Sequence, residues 1–303
     1  IHNKFPDCEI VQIPVADGGE GTVDCFLQAV GGRKRRVTVC GPFMERIESF
    51  YGIPDTGDKT AVIEMAACAG LPLAEGRENP ELTSTYGVGE LIADALEQGC
   101  RNIIIGLGGS STNDGGCGMA ASLGAKFYGE DGEAFLPVGG TLKNIKRIDI
   151  SGLDRRLKQT CITAMCDIDN PLYGPLGAAY VFGPQKGATP EMVPVLDANL
   201  RHLADVISKN LGVEIADLPG AGAAGGMGGG AVAFWNGCLQ MGIETVLDTV
   251  EFDTVVRDAR LVFTGEGRLD GQSVRGKVVA GVGRRAKAAG VPVVAVVGAV
   301  GDG

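Results

Sequence analysis

The sequence predicts an α/β protein made of two units, one with a parallel sheet and one with a mixed sheet. Three observations carry this. Apolar runs of strand length alternate with helical stretches over most of the 303 residues, which is the pattern of parallel sheet. Between residues 35 and 65, three strand-like runs follow one another with only "GPFME" and "PDTGD" between them, which reads as antiparallel hairpins. Glycine is abundant, 49 of 303, and gathers in clusters at 18–21, 106–118, 220–230 and 265–276. Each of these clusters is read as following a strand-like run and preceding a helical one, as tight backbone turns.

Taken in order, the first strand-like run is "EIVQIPV" (9–15), followed by a glycine bend that opens a helix. "RRVTVCG" (35–41), "RIESFYGI" (46–53) and "KTAVIEM" (59–65) form the antiparallel portion. "GVGELIADALEQG" places Val88, Leu91, Ile92, Ala95 and Leu96 on one helical face. "NIIIGLG" (102–108) and "CITAMCD" (161–167) are strands. The stretch 189–211 starts a helix with Thr189 as N-cap and Pro190 in the first turn. "RLVFTGE" (260–266), a helix from near Lys277 and "PVVAVVG" (292–298) complete the pattern.

The formal net charge is −10, and the longest basic run is Arg33 to Arg36. Such a chain repels nucleic acid and anionic membrane, so neither is expected as a partner. An anionic ligand would need local lysine, arginine, backbone N–H groups or a metal ion. Nine cysteines show no C-x-x-C spacing. They read as small buried hydrophobes, Cys161 among them, in a reducing compartment. No apolar stretch reaches membrane length and the first residues do not resemble a signal peptide, so a cytoplasmic location is the expectation. Only His2 and His202 are present. Histidine-based catalysis and a Ser-His-Asp triad are therefore disfavoured, and acid–base work falls to Asp, Glu or Lys.

The glycine loops carry the candidate chemistry, because ligands of open parallel sheets bind beyond the carboxyl ends of the strands. In "PVADGGEGT" (14–22), Asp17 and Glu20 stand among Gly18, Gly19 and Gly21. Either Asp17 caps a helix, or the two acids meet a metal or hydroxyls. In "GLGGSSTNDGGCGM" (106–119), Gly108, Gly109, Ser110, Thr112 and Asp114 form a small-residue loop suited to phosphate, or else a bare turn. Ser111 breaks the G-x-G-x-x-G fingerprint of dinucleotide sites. Asp167 and Asp169, two apart after a strand, point the same way if extended. They suit a shared Mg²⁺ or include a general base, or else the stretch is a solvated acidic loop. Lys186 in "GPQKG" is placed to meet an anion. The glycines of "GAGAAGGMGGG" (220–230) imply close approach of backbone to a ligand or to another helix. In "TGEGRLDGQSVRGK" (264–277), Glu266, Asp270, Gln272 and Lys277 form a polar set. The apparent Walker match there lacks the hydroxyl residue at Val278 and trails the expected strand end by about seven residues.

Six of these stretches, in order and across nearly the whole chain, resemble the class I glycerate kinase family: "PVADGGEGT", "TSTYGVGELI", "GLGGSSTNDGGCGM", "DIDNPLYGPLGAAYVFGPQKGA", "GAGAAGGMGGG" and "TGEGRLDGQSVRGK". The resemblance implies transfer of the ATP γ-phosphate to a hydroxyl of D-glycerate, giving 2-phosphoglycerate in the family's bacterial members. It implies a Rossmann- or flavodoxin-like parallel domain, with the other α/β domain inserted into it and the site in the cleft. The boundaries expected are 1–35 with 245–303 for the first and 36–244 for the inserted mixed unit. ATP and Mg²⁺ are the expected cofactors, and a homo-oligomer is compatible. Asp167 is the first choice of base, Asp270 the next, and Lys186 an anion neutraliser. The rival classes are a nicotinamide-dependent oxidoreductase of small hydroxy acids and a non-catalytic anion-binding protein.

Overall fold

The computed structural model describes residues 6–57, 59–269 and 278–301. Helix α1 (Thr22–Val30) leads into a hairpin of β1 (Gly32–Cys40) and β2 (Arg46–Pro54). There follow β3 (Thr60–Glu64), α2 (Ala66–Ala69), α3 (Tyr86–Glu97), β4 (Asn102–Gly106) and α4 (Cys117–Ser122). A small three-stranded sheet of β5 (Lys126–Tyr128), β6 (Ala134–Phe135) and β7 (Arg147–Asp149) comes next. Then come β8 (Cys161–Met165), α5 (Ala178–Phe182), α6 (Met192–Leu211), α7 (Ala223–Trp235), β9 (Cys238–Gln240), α8 (Gly242–Thr249) and α9 (Phe252–Val255). The chain continues through β10 (Val262–Leu269), α10 (Val278–Ala288) and β11 (Val293–Val300).

The main sheet has the order β1-β2-β3-β4-β8-β9. β1, β2 and β3 pair antiparallel, whereas β3, β4, β8 and β9 pair parallel. The hairpins between 35 and 65 are therefore as expected, and the sheet is mixed. Alternation along the strands covers it on both faces. Ala61, Ile63, Ile103, Ile105, Ile162 and Ala164 point into one core with Val88, Leu91, Ile92, Ala95 and Leu96 of α3. Val62, Ile104 and Met165 point the other way, against Val23 and Phe26 of α1 and Val246 of α8. Residues 22–30, expected with the C-terminal unit, thus pack as α1 on β2 and β3 of this sheet. The small sheet packs on α6 around Phe127, Leu142, Ile148, Leu200 and Leu203.

β10 and β11 form a separate two-stranded parallel sheet. Ile243, Leu247, Phe252, Val282 and Ala286 build its core on one face.

Several expectations change. Residues 9–15 are irregular rather than a strand. Val11 is 60% exposed, and strand propensity without a neighbouring strand does not make a strand. The small sheet at 126–149 was not read from the sequence, because its strands of two or three residues are too short for a period to register. Helix α6 is assigned from Met192, but Thr189 still caps it: its carbonyl accepts from Val193 N at 3.1 Å and its Oγ1 from Met192 N at 3.4 Å. Cys161 is exposed at the start of β8, as are Cys8 and Cys238, and all nine cysteines are free. His202 Nε2 lies 2.7 Å from Ile145 O, a packing role.

Candidate active site

The carboxyl ends of β3, β4 and β8 lie side by side, and the segments leaving them meet the glycine bend before α1. Gly108 N donates to Gly18 O at 2.9 Å. A Cβ at Gly108 would come within 2.6 Å of Gly19 Cα, so only glycine allows the two loops to touch. Glu64, the last residue of β3, is 3% exposed, and its Oε1 accepts from Val23 N at 2.6 Å. It caps α1, whose own N-cap residue Gly21 has no side chain to do so. Burial pushes the Glu64 carboxyl up, while bonds from the Val23 and Gly21 amides hold it down. Sequence reasoning missed Glu64. Its one signal was an acid inside the apolar run "AVIEMAA".

A cavity of about 750 Å³ opens at this edge, a size suited to small ligands and cofactors. Asp17, Glu20, Asp167 and Glu266 line it, with Gly108, Gly109, Ser110, Lys186 and Ala224. Val278 lines it as well.

Asp167 leaves β8 toward the N-terminus of α8. Its Oδ1 accepts from Gly242 N at 2.7 Å, which fixes the carboxylate plane. Desolvation raises its pKa most, the Gly242 bond opposes this, and the neighbouring Asp17 charge raises it further. Asp17 Oδ1 accepts from Gly19 N at 3.0 Å, within its own bend. A Cβ at Gly242 would lie 3.2 Å from Asp167 Oδ2 and 3.3 Å from Asp17 Cα, so both acids adjoin the start of α8. The carboxylate that accompanies Asp167 in the cavity is therefore Asp17. Asp169, expected beside it, does not line the cavity.

Lys186 is 2% exposed. Its Nζ donates to Ser110 Oγ at 2.8 Å and to Thr112 O at 2.7 Å. Burial depresses its pKa to about 7, against a smaller opposing effect of Asp114. Asp114 itself lies inside the loop and accepts from Thr85 N (2.8 Å), Thr85 Oγ1 (2.9 Å), Gly116 N (3.1 Å) and Gly118 N (3.2 Å). It lies away from the cavity lining and anchors the loop, as does the fully buried Thr112 through its carbonyl. The glycines of 220–230 serve close approach. Gly225 (φ 65°) is packed against the Thr112 carbonyl, and Gly225 O accepts from Gly115 N at 3.0 Å.

The sequence profile of the glycerate kinase family matches residues 1–303. The chain belongs to the glycerate kinase family. It is 50% identical to the glycerate kinase of Bacillus cereus over 98% of this chain and 78% of that protein. It is 49% identical to the glycerate 2-kinase of Escherichia coli K12, over 98% and 78%. Among solved structures, one assigned as a glycerate kinase 2 of Salmonella typhimurium LT2 superposes with a TM-score of 0.90 at 45% identity, covering 99% of this chain and 83% of that one. Membership makes this an ATP-dependent kinase acting on glycerate. The oxidoreductase and non-catalytic readings fall away. Among the described residues, no helix is long and apolar enough to cross a membrane.

Of the expected site residues, Asp17, Glu20, Gly108, Gly109, Ser110, Asp167, Lys186 and Glu266 line the cavity. Gly18 and Gly19 support it from behind through the contact with residue 108. Asp270, Gln272 and Lys277 lie outside the described residues. β10 runs on to Leu269, so the Walker-like Gly271 follows the strand end by two residues rather than seven, while Val278 still lacks the hydroxyl.

Proposed function

We propose that this cavity holds ATP and D-glycerate side by side, with Asp167 as the base that activates the acceptor hydroxyl. The observation that supports it is the convergence of the 17–21, 108–110 and 166–168 segments and Lys186 on one cavity. One Asp167 oxygen is engaged by Gly242 N, and the other is turned to take the hydroxyl proton. A carboxylate pushed up by burial and by Asp17 is a stronger base than an exposed one. The acceptor oxygen forms its bond to the γ-phosphorus as the bond to the bridging oxygen breaks and ADP departs. Positioning and charge neutralisation, rather than covalent catalysis, carry such a transfer. The 108–109 backbone and Ser110 orient phosphate oxygens. Asp270 is the alternative base, and Gln272, Lys277 and Glu266 are read as further polar contacts.

Four lining acids against Lys186 make the described lining net negative. That arrangement suits a nucleotide carried by Mg²⁺, which when bound would neutralise phosphate charge. Among the described residues no three His, Cys, Asp or Glu side chains cage a metal. Where Asp270 is the base, the Asp17–Asp167 pair fits instead the one or two carboxylates with which Mg²⁺ would complete a phosphate-bound shell. Asp169 is the weaker candidate.

The E. coli relative's name points to 2-phosphoglycerate as product. A cytoplasmic location, a lobe of 1–35 with 245–303 around an inserted lobe of 36–244, and self-association belong to the same reading, with α1 the exception noted above. A ³¹P NMR assay with D-glycerate and Mg·ATP tests it. The expected outcome is a 2-phosphoglycerate resonance with ADP. Formation of 3-phosphoglycerate overturns the regiochemistry, and no transfer overturns the reading.

A further inference from the structure

Helix α7 is broken near its start. Ala224 (φ 53°, ψ 42°), Gly225 (φ 65°, ψ 36°) and Gly226 (φ 90°, ψ 1°) are left-handed in succession. On either side the amides are bonded, Ala223 N to Gly220 O at 3.0 Å and Gly226 N to Gly222 O at 3.4 Å. Between them, the N–H groups of Ala224 and Gly225 donate to none of the described carbonyls before the helix, where their i−3 and i−4 acceptors would lie. Ala224 lines the cavity, and Gly225 lies against the Thr112 carbonyl that accepts from Lys186 Nζ. The ammonium and this left-handed turn therefore adjoin the same short segment of the 110–114 loop.

Lys186 has a second peculiarity. Both its acceptors are neutral, and it forms no ion pair with a described carboxylate. The acid that acts on it, Asp114, has its oxygens engaged by four donors of its own loop. A buried cation without a counter-charge is unfavourable, and this one keeps a third N–H for a ligand. Successive amides in a turn that passes from right- to left-handed form a concavity for anions.

We propose that Lys186 Nζ and the backbone amides of Ala224 and Gly225 form an oxyanion subsite that seats one anionic group of a reactant. A carboxylate and a transferred phosphoryl group present the same chemistry, and the test separates them. The subsite rests on the kinase reading only for the identity of the reactants.

The first measurement uses the intact wild-type protein. D-glycerate, Mg·ADP and inorganic phosphate are titrated calorimetrically at pH 8 in buffers of different ionisation enthalpy. Proton uptake with at least one of them is expected, since the depressed Lys186 must be charged to hold an anion. The acids across the cavity, Asp17, Glu20, Asp167 and Glu266, could themselves take up protons, so the same titration is run on Lys186→Met, where the uptake should vanish. The second measurement is kinetic. If the occupant is the carboxylate, Lys186→Met raises KM for D-glycerate about 100-fold, leaves KM for ATP unchanged, and erases the preference for D-glycerate over glycerol. If it is the phosphoryl group, kcat falls about 100-fold at unchanged KM for D-glycerate, and Lys186→Arg restores part of it. No proton uptake by the wild type with any of the three ligands, or a folded Lys186→Met with kcat and KM within threefold of wild type, overturns the subsite. Failure of the wild type to phosphorylate D-glycerate, with anion uptake intact, would instead remove the kinase reading and leave the subsite standing.

Discussion

β3, β4 and β8 are covered on both faces, whereas β10 and β11 are covered on one. All five residues of β3 are buried. On β10 and β11, by contrast, Phe263 is 51% exposed, Val294 41%, Val296 65% and Val300 75%. The register places Phe263 beside Val294 and Gly265 beside Val296, so these residues share the uncovered face. Both regions supply the cavity, the first through residues 108–110 and 166–168, the second through Glu266. The difference teaches that the cavity has a firmly held part and a lightly held part, and that effects on stability and on catalysis should separate between them.

The largest stability effect is expected in the loop after β4. Asp114→Ala removes one acceptor group from four donors inside the protein and should lower the unfolding free energy by about 3–5 kcal/mol, the scale of breaking a buried charged network. Urea unfolding measures it. A loss under about 1 kcal/mol would mean that the loop is held by backbone contacts alone, and the contrast between the two regions would weaken.

The next effect is on turnover. Asp167→Asn should reduce kcat at least about 100-fold, roughly 2.7 kcal/mol of barrier. It should do so without loss of stability at neutral pH. The folded-state pKa of Asp167 is raised, so the native protein binds its proton more readily than the unfolded chain does. That contribution to stability is fully present below the ordinary carboxylate pKa and is lost as pH rises through the folded value. At neutral pH the wild type carries a desolvated charge that asparagine lacks, while the asparagine oxygen still accepts from Gly242 N. The melting temperature of Asp167→Asn should therefore equal or exceed that of the wild type at pH 7, and the gap should close below pH 4. Normal turnover would transfer the role of base to Asp270.

Glu64→Gln gives a smaller change. The neutral amide oxygen is a weaker acceptor for Val23 N than the carboxylate, so about 1–2 kcal/mol of stability should be lost. Because α1 begins just after Glu20, kcat should fall several-fold with it. A variant that loses stability and keeps kcat would show that the 17–21 bend is set by its contact with residue 108 instead.

These cases mark what was legible in the sequence. Strand and helix periods gave the mixed sheet, the hairpins and the α3 stripe, because burial on a period of 2 or 3.6 leaves its trace in residue order. The loops that would meet were legible too, since parallel strands put their carboxyl ends together. What a side chain does inside a loop was not. Asp17 and Asp114 look alike, each an acid among glycines and each accepting from its own backbone, yet Asp17 lines the cavity and Asp114 is buried beneath four donors. Glu64 reads as an oddity in a strand until α1 is seen to begin above it. The left-handed Ala224 has no local signature at all, because alanine there is fixed by packing around Gly225 and not by its own preference.

The smallest predicted effect tests the comparison directly. Val62 on β3 and Val296 on β11 are both strand valines, one fully buried and one 65% exposed. Val62→Ala removes two methyl groups from the core shared with Val23, Phe26 and Ile104, and should destabilise by about 1–3 kcal/mol. Val296→Ala removes the same atoms from a face that solvent already reaches, and should change stability by no more than about 0.5 kcal/mol. Val62 pairs with both Gly52 and Ile104 whereas Val296 pairs with Gly265 in a two-stranded sheet, so central against edge position adds to the difference in burial. Equal losses in urea unfolding would mean that the outer face of β11 is covered in solution, for instance by self-association. Repeating the pair across a tenfold range of protein concentration separates that case, because a face buried between copies loses its protection on dilution.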